Sequence, residues 1–349
     1  MTANSDSAET LTADEQRVKW RAVLISVAIT AFFLTLLYVR MDIHAFADSM
    51  TDIQYWLLVP VVGLHAVAWC LRTVRWRILL SPFQPIPTSR LFTIVMTGAM
   101  VNTLVPGRAG EFWRAHTLGR REGLSRATAF GTIVVERVID GLVLVLIAAV
   151  IALAIGPSTS MTILIGSMLV IFVAGLGVIA ALAVSDRLGR NLTRALLTAV
   201  PAGYKRWVED KLASFVEGLR GTRDGRVLRA VVGVTALTWI VDAGAYWMLG
   251  LAFGLDVDPH LYLLVVAVGN LAIAVPFSVG AIGPYEFFVQ QSLILLGVAS
   301  TRGLAYAVCI HGLTLAFVVA TGLLFVSWRS LRANHTADER RQPILVVQD

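Results

Sequence analysis

Long apolar runs alternate with short polar segments through most of this sequence. Six of the runs are close to the roughly 20 residues that an α-helix needs to cross a membrane. They cover residues 22–39, 55–71, 127–155, 162–184, 230–252 and 304–328. Composition agrees, since 57% of the 349 residues are hydrophobic and only 15% are charged. We therefore predict an all-α polytopic membrane protein with about six full transmembrane helices, and exclude soluble enzymes and disulfide scaffolds.

Two further apolar segments are shorter than a membrane span, and each leads to a break rich in glycine and proline. Residues 91–105 run into the sequence LVPGRAGEFWRA, and residues 261–276 lead to VGAIGPYEFF. A second short apolar stretch follows each break. We predict a re-entrant helical hairpin at each place, and a pair of thin full spans is the alternative that gives the same topology.

Positive charges define an orientation for the predicted helices. Of the 29 Lys and Arg residues, 26 lie before residue 22, within 72–126, within 185–229 or after residue 328. Cytoplasmic loops carry an excess of Lys and Arg, so these four regions are predicted to be cytoplasmic. The formal net charge of +6 then reflects membrane orientation, and no nucleic-acid partner is expected. The N-terminal segment 1–19 and the tail 329–349 lie on the cytoplasmic side of a bacterial inner membrane in this prediction.

The two breaks share a Gly-x-x-Gly pattern followed by Glu-Phe, and a full span follows each. In the predicted topology the first hairpin enters from inside and the second from outside. We therefore predict one membrane domain, 20–328, with inverted repeats over about 20–155 and 162–328 and an amphipathic cytoplasmic linker at about 186–229. Broken helices at matching places in inverted halves indicate a transport site near the membrane midplane. The expected hinge residues are Pro106, Gly107, Gly110, Gly280, Gly283 and Pro284.

Charged residues cluster at the first break, where a charge in the bilayer costs roughly 2.5–3.5 kcal/mol and needs a partner or a purpose. Arg108, Glu111 and Arg114 lie where a short helix begins. The free N–H groups of a helix N-terminus attract anions, and arginine binds phosphate with two hydrogen bonds. We predict a lipid-phosphate site here. The alternative is that Glu111 caps the helix and pairs with Arg108 or Arg114.

The span after the first break begins with VVERVIDGL, residues 134–142. Arg137 and Asp140 are three residues apart and can pair on one helical face. Arg137 can also reach Glu111, which would leave Glu136 or Asp140 to hydrogen-bond a head group or take up protons. The alternative is a structural salt-bridge network that holds the hairpin to the span.

The second break contains Glu286 without a neighbouring arginine. A buried carboxylate of this kind can carry a proton, with Asn270 and His311 as candidate partners, and local hydrogen bonding is the alternative. Asp242 and His65 lie alone within predicted spans, and we expect packing or hydrogen-bonding roles for both.

A cluster of arginine and tryptophan ends the predicted span 55–71 and is typical of a cytoplasmic helix end that contacts lipid head groups. Its members are Trp69, Arg72, Arg75, Trp76 and Arg77. The sequence has no Gly-rich nucleotide loop, paired-histidine metal motif or Gly-x-Ser-x-Gly elbow. We therefore expect no cofactor, no metal and no soluble-type catalysis.

Four segments together carry a family resemblance: LRTVRWRILL, GAMVNTLVPGRAGEFWRAHTL, VVERVIDGL and GAIGPYEF. Over about 20–328 the chain resembles the lysylphosphatidylglycerol-synthase membrane-domain family, which is also described as flippase-like. The resemblance implies a protein that moves lipids between leaflets, and it brings Asn102 into the candidate site. Bifunctional members carry an aminoacyl-transferase domain after the membrane part. Only about 21 residues follow Trp328 here, so lipid aminoacylation by this chain is not expected.

The resemblance is weaker at the second break. The family motif often reads Pro-Gly-Gly-x-Gly-x-x-Glu, whereas Ser278-Val279-Gly280 stands at its start here and Pro284 precedes the glutamate.

These observations predict a lipid transporter or flippase that binds an anionic or phosphate-bearing head group and is not an enzyme. The alternatives are a membrane-embedded transferase with Glu111 or Asp140 as general base, and a non-transporting partner of a cell-envelope synthase. A homo-oligomer is compatible with each. The predicted binding residues are Asn102, Arg108, Glu111, Arg114, Glu136, Arg137, Asp140 and Glu286.

Overall fold

The computed structural model describes most of the predicted membrane domain. It covers residues 28, 30–37, 39, 43–105, 108–156, 166, 170, 172–179, 181–182, 205–220, 223–273 and 279–339. The predicted N-terminal segment, the hinge residues Pro106 and Gly107, and the end of the tail lie outside the described residues. Within the described part, every regular element is a helix.

Ten helices of the described chain are used below. They are α1 Ile43–Thr51, α2 Leu58–Leu80, α3 Thr88–Leu104, α4 Ala109–Glu122, α5 Arg126–Ile155, α6 Lys205–Arg220, α7 Gly225–Ala252, α8 Tyr262–Ile273, α9 Pro284–Leu295 and α10 Ser300–Glu339. Short 3₁₀ turns at Tyr55–Leu57, Pro259–Leu261 and Val279–Ala281 precede α2, α8 and α9.

Four stretches of the described chain are long and apolar enough to cross a membrane. They are Tyr55–Leu80, Arg126–Ile155, Gly225–Ala252 and Ser300–Trp328. They correspond to four of the predicted spans and support a membrane-embedded, all-helical protein. The predicted spans 22–39 and 162–184 lie largely outside the described residues, with helical residues at 30–37 and 172–179. The total of six spans stays a prediction.

Helix–break–helix units occupy both places where hairpins were predicted. Helices α3 and α4 flank the first break, where Arg108 adopts a left-handed backbone conformation with φ of 55°. Helices α8 and α9 flank the second, where Gly280 and Gly283 have φ of 58° and 97°. Glycine adopts positive φ without a steric penalty, which explains its place at the second break. Whether each unit leaves the membrane on the side it entered stays a prediction.

The helix contacts follow the same plan in the two halves of the chain. In the first half α2 packs on α3, α3 on α4, and α4 on α5. In the second half α7 packs on α8, α8 on α9, and α9 on α10. Between the halves α2 packs on α7, α3 on α10, and α8 on α5. Each inner short helix therefore packs against the last span of the other half.

Small residues allow the closest of these contacts, as in many membrane helix pairs. A Cβ atom added to Gly110 on α4 would lie 1.9 Å from the carbonyl oxygen of Gly98 on α3. Similarly, Gly131 on α5 lies against the backbone of Gly218 on α6. The outer faces of the long helices are apolar, with Val59, Val150 and Leu324 strongly exposed, as expected for surfaces that meet lipid.

Candidate functional site

A cavity of about 240 Å³ lies between the two halves, and helices α2–α5 and α7–α10 all contribute to its wall. Five predicted binding residues line it, and the other three lie outside its lining. The lining residues are Asn102, Arg108, Glu111, Arg137 and Asp140. The structure thus brings most of the predicted site to one place, together with side chains of the second half.

A second cavity of about 270 Å³ shares part of this wall. It has Arg108, Arg137 and Asp140 in common with the first cavity. Its remaining lining includes the apolar side chains of Leu144 and Phe172. The charged wall is therefore adjacent to an apolar one, an arrangement suited to an amphipathic ligand.

Glu136 lies at the centre of a buried charge network. Its Oε1 accepts hydrogen bonds from Arg75 Nη2 at 2.8 Å and Arg137 Nη2 at 2.7 Å. Its Oε2 accepts one from Arg114 Nη2 at 2.9 Å. Three helices, α2, α4 and α5, are joined through this one carboxylate. A carboxylate held by three guanidinium groups stays ionised, because each cation favours the charged form.

Asp140 completes the network one turn further along α5. It accepts a hydrogen bond from Arg75 Nη1 and another from Arg75 Nη2 at 3.0 Å. Arg137 Nη2 lies 3.0 Å from the same carboxylate, while Arg137 Nε is 3.9 Å from Glu111. Arg137 thus lies within ion-pair distance of Glu111, as expected, but the expectation that this leaves Glu136 or Asp140 free is wrong. Both carboxylates have arginine partners, as the salt-bridge alternative describes.

Arg75 was not among the predicted site residues, and the expectation that it contacts lipid head groups is wrong, because its side chain is buried. The cytoplasmic location of this helix end stays a prediction. Only 1% of its side chain is exposed, and it also donates a hydrogen bond to Thr235 on α7. Helix α2 continues to Leu80, so Arg75 lies well inside the helix. The sequence contained a signal for it. Two carboxylates, Glu136 and Asp140, share their helix face with one arginine, Arg137. The second carboxylate needs a cation from another helix if it is buried.

The first break is held by hydrogen bonds within the first half and by one to a backbone carbonyl of the second half. Arg108 Nη1 donates to Glu111 at 3.1 Å, and its Nη2 donates to the carbonyl of Ile273 on α8 at 3.2 Å. Asn102 on α3 accepts from the backbone N–H of Gly110 at 2.7 Å. Glu111 therefore pairs with Arg108, as the capping alternative states, but its side chain makes no capping hydrogen bond to the start of α4 within the described residues.

The capping alternative pairs Glu111 with Arg108 or Arg114, but Arg114 has a different partner. It pairs with Glu136, and its guanidinium lies 4.2 Å from the ring centroid of Trp76. Arg114 and Glu136 are both buried behind the cavity wall. Their place in the structure is to hold the residues that line the cavity.

The second break is organised by Glu286. Its Oε2 accepts a hydrogen bond from the backbone N–H of Gly283 at 2.7 Å and so caps α9. Its Oε1 lies 2.6 Å from Nδ1 of His311 on α10. His311 is thus confirmed as a partner. Asn270 instead donates to the carbonyl of Val266 at 2.9 Å and lines the cavity.

Asp242 and His65 are closer to each other than their isolation in sequence indicates. Arg72 Nη2 lies 2.5 Å from Asp242, and His65 Nδ1 lies 3.9 Å from the same carboxylate. The Arg72 guanidinium also lies 5.1 Å from the ring centroid of Trp69 and 5.0 Å from that of Trp239. All five residues line the cavity, so Arg72 is a second site residue that the sequence interpretation missed.

Some donors of the cavity lining have no hydrogen-bond partner within the described residues. Arg137 Nε and Trp239 Nε1 are buried and make no hydrogen bond to a described residue. Buried N–H groups are costly when unpaired, so they favour a ligand rich in acceptor oxygens, such as a phosphate or a sugar. No cluster of three or more His, Cys, Asp or Glu residues suited to a metal occurs in the described part of the chain.

Comparison with known proteins defines the family. A family model described as the lysylphosphatidylglycerol synthase TM region matches residues 23–322. The chain belongs to this family. The predicted resemblance is thereby confirmed, and the membrane helices α2, α5, α7 and α10 of this family member lie wholly or mostly within the matched region.

Two curated relatives of this family member extend the comparison. One is the glycosyltransferase AglD of Haloferax volcanii, 28% identical over 88% of the chain and 54% of the relative. The other is a UPF0104 membrane protein of Methanothermobacter thermautotrophicus, 25% identical over 88% of the chain and 95% of the relative. The chain thus spans about half the length of AglD. No solved structure matches it.

Proposed function

We propose that this protein moves a lipid with an anionic or phosphate-bearing head group across the cytoplasmic membrane. The observation that carries the proposal is the charged cavity between the two halves, which is enclosed by membrane helices and lined by arginine side chains and unpaired N–H groups. The adjoining apolar cavity is suited to the part of the lipid next to its head group. Both termini are cytoplasmic in this proposal.

Arg108 and Arg137 are the head-group contacts in this proposal. Their side chains are 27% and 35% exposed, whereas the other arginines of the network are 15% exposed or less. A phosphate can hydrogen-bond to both without displacing the fully buried pairs. Glu111 would then compete with the phosphate for Arg108. Arg75, Arg114 and Glu136 act as positioning residues that hold α2, α4 and α5 together.

An inverted repeat is part of the same proposal. The helix contacts support it, because each of four contacts of the first half has a counterpart in the second. The corresponding pairs are α2–α3 and α7–α8, α3–α4 and α8–α9, α4–α5 and α9–α10, and α3–α10 and α8–α5. In such architectures the site lies between the halves near the midplane, and rocking of the halves exposes it to either side. The two breaks would then control access from opposite leaflets.

The experiment uses cells that lack the protein and are complemented with the native chain, Arg108→Ala or Arg90→Ala. Arg90 is the matched control, because its side chain is 64% exposed at the beginning of α3 and its partner is Glu122. Total lipids are measured by mass spectrometry, and outer-leaflet lipids are tagged with a membrane-impermeant amine- or sugar-reactive reagent. We expect the total amount of each lipid to be the same in all strains. Outer-leaflet labelling of one lipid should be lost in cells without the protein and restored by the native chain and by Arg90→Ala.

Arg108→Ala should lower the rate of labelling roughly tenfold or more, because hydrogen bonds to a charged group contribute about 1.5–3 kcal/mol. Labelling equal to that of the native chain would contradict the head-group role of Arg108. Labelling that never depends on the protein would contradict lipid movement itself.

A membrane-embedded transferase is the second candidate, and the name of the relative AglD favours it. The same mass spectrometry separates the two functions. A transferase changes which lipids exist, so its loss makes one species vanish while its precursor accumulates. A transporter changes only the leaflet in which a lipid lies.

A further inference from the structure

Two buried histidines line the cavity, and each stands beside a carboxylate. His311 on α10 lies 2.6 Å from Glu286, and His65 on α2 lies 3.9 Å from Asp242. The two histidines are linked through α10, because His65 Nε2 lies 2.6 Å from the hydroxyl of Thr314, one turn after His311. The proposed head-group contacts use neither pair.

The two pairs differ in what else holds the carboxylate. Asp242 accepts from the Arg72 guanidinium, so its charge is fixed by a permanent cation. Glu286 accepts only from His311 and the Gly283 N–H among the hydrogen bonds of the described residues. Unlike Asp242, the Glu286–His311 pair therefore has no arginine that fixes its charge within the described part of the chain.

Other polar and titratable groups surround this pair, and the packed helices supply them. Tyr285, next to Glu286, places its ring 4.2 Å from that of His311 and is hydrogen-bonded to Tyr246 on α7. Further groups on the helices packed against α9 and α10 include Asp242 on α7, His65 and Arg72 on α2, Asn102 on α3, Asn270 on α8, and the exposed His44 and Asp48 on α1.

The proton state of the pair sets the net charge at this buried position. A neutral imidazole beside an ionised Glu286 carries one negative charge, and one proton added to the Glu286 carboxylate makes the pair neutral. A proton from water that reaches the cavity therefore removes the net charge of this buried pair. An anionic head group in the same cavity favours that proton by Coulomb attraction.

We infer that the Glu286–His311 pair binds a proton together with the anionic head group and carries both in the same direction, so that the protein is a proton–lipid symporter. The inference rests on the proposed lipid movement. The proton comes from water on the side where the lipid enters and leaves to water on the other side. Glu286 also caps α9 through Gly283, so a change in its charge acts directly on the second break.

The test uses the purified full chain in vesicles of phosphatidylcholine and phosphatidylglycerol, with a tail-labelled fluorescent phosphatidylglycerol as the probe. The leaflet distribution of the probe is read by a membrane-impermeant quencher with and without an imposed pH gradient. One proton per lipid should shift the steady-state ratio toward the alkaline side by up to about tenfold per pH unit. Glu286→Gln should leave the ratio near unity at every gradient.

Asp258→Asn is the matched control, because Asp258 is an exposed carboxylate in the loop before α8. It should respond to the gradient like the native chain. Native protein that moves the probe but ignores the gradient would overturn symport and leave lipid movement intact. Native protein that moves no probe in either condition would count against the proposed function, and symport would fall with it.

Proton binding is also read without transport. Infrared difference spectra of the purified protein between acid and alkaline pH should contain the C=O band of a protonated buried carboxyl. Glu286→Gln should remove this band and His311→Gln should shift it, whereas Asp258→Asn should retain it. A band that persists unchanged in folded Glu286→Gln would overturn the assignment of the proton site, whatever the vesicles show.

Discussion

Replacing Glu136 by glutamine removes the charge that three arginines share. In the native protein Arg75, Arg114 and Arg137 donate to this carboxylate at 2.7–2.9 Å, and it is almost completely buried. After the change, Asp140 still pairs with Arg75 and Arg137, whereas Arg114 has lost its carboxylate partner. Removing one partner of a buried ion pair typically costs about 3–5 kcal/mol, because the remaining charges are left uncompensated. We expect Glu136→Gln to lower the free energy of unfolding by about this amount.

The assay is equilibrium unfolding of the purified protein in mixed micelles, followed by circular dichroism. Glu122→Gln is the matched control, since Glu122 is also a helix carboxylate but pairs at 3.3 Å with an exposed arginine. A pair of this kind contributes about 0–1 kcal/mol. A Glu136→Gln variant that is no less stable than Glu122→Gln would refute the inference that one buried carboxylate joins α2, α4 and α5.

A compensating change makes the test more specific. Among the described residues Arg114 forms an ion pair with Glu136 alone, so Glu136→Gln combined with Arg114→Met restores the native charge balance. Neighbours in one network usually show coupling of about 0.5–3 kcal/mol. The double variant should therefore be more stable than the sum of the two single losses. Simple additivity would show that the two side chains do not interact.

Two further predictions concern packing and the wall of the cavity. Gly110→Ala should destabilise the protein strongly in the same unfolding assay, because its Cβ would lie 1.9 Å from the Gly98 carbonyl oxygen. The control Gly63→Ala places its Cβ in open space and should leave stability unchanged or raise it by up to about 1 kcal/mol. Arg72→Met should leave Asp242 without its cation and lower the free energy of unfolding by about 3–5 kcal/mol. A loss below about 1 kcal/mol would show that the Asp242 carboxylate is solvated.

The spans, the two breaks and the residue types of the site could be predicted from sequence, because each has a local signal. Apolar runs reveal α5 and α10, and the Gly-x-x-Gly pattern reveals both breaks. Glu111 and Asp140 could be placed in the site because charges within apolar segments are rare. These properties depend on residues within a few helical turns of each other.

The pairing between distant helices could not be predicted in the same way. Arg75 is 61 residues from Glu136, and Arg72 is 170 residues from Asp242. Near a helix end, an arginine that turns inward has the same local sequence as one that contacts lipid head groups. Only an excess of carboxylates elsewhere distinguishes them. Counting acids against bases across all membrane helices, rather than within each, would have recovered Arg75.

The backbone at Arg108 has a consequence for how the site is maintained. An L-residue with φ of 55° is about 1–2 kcal/mol less favourable than one in a right-handed helix, and glycine would avoid most of this cost. The guanidinium contacts to Glu111 and to the Ile273 carbonyl must therefore offset the strain. Any phosphate that takes Arg108 from these partners also loosens the chain that bends there, so ligand recognition and backbone geometry cannot change independently at this residue.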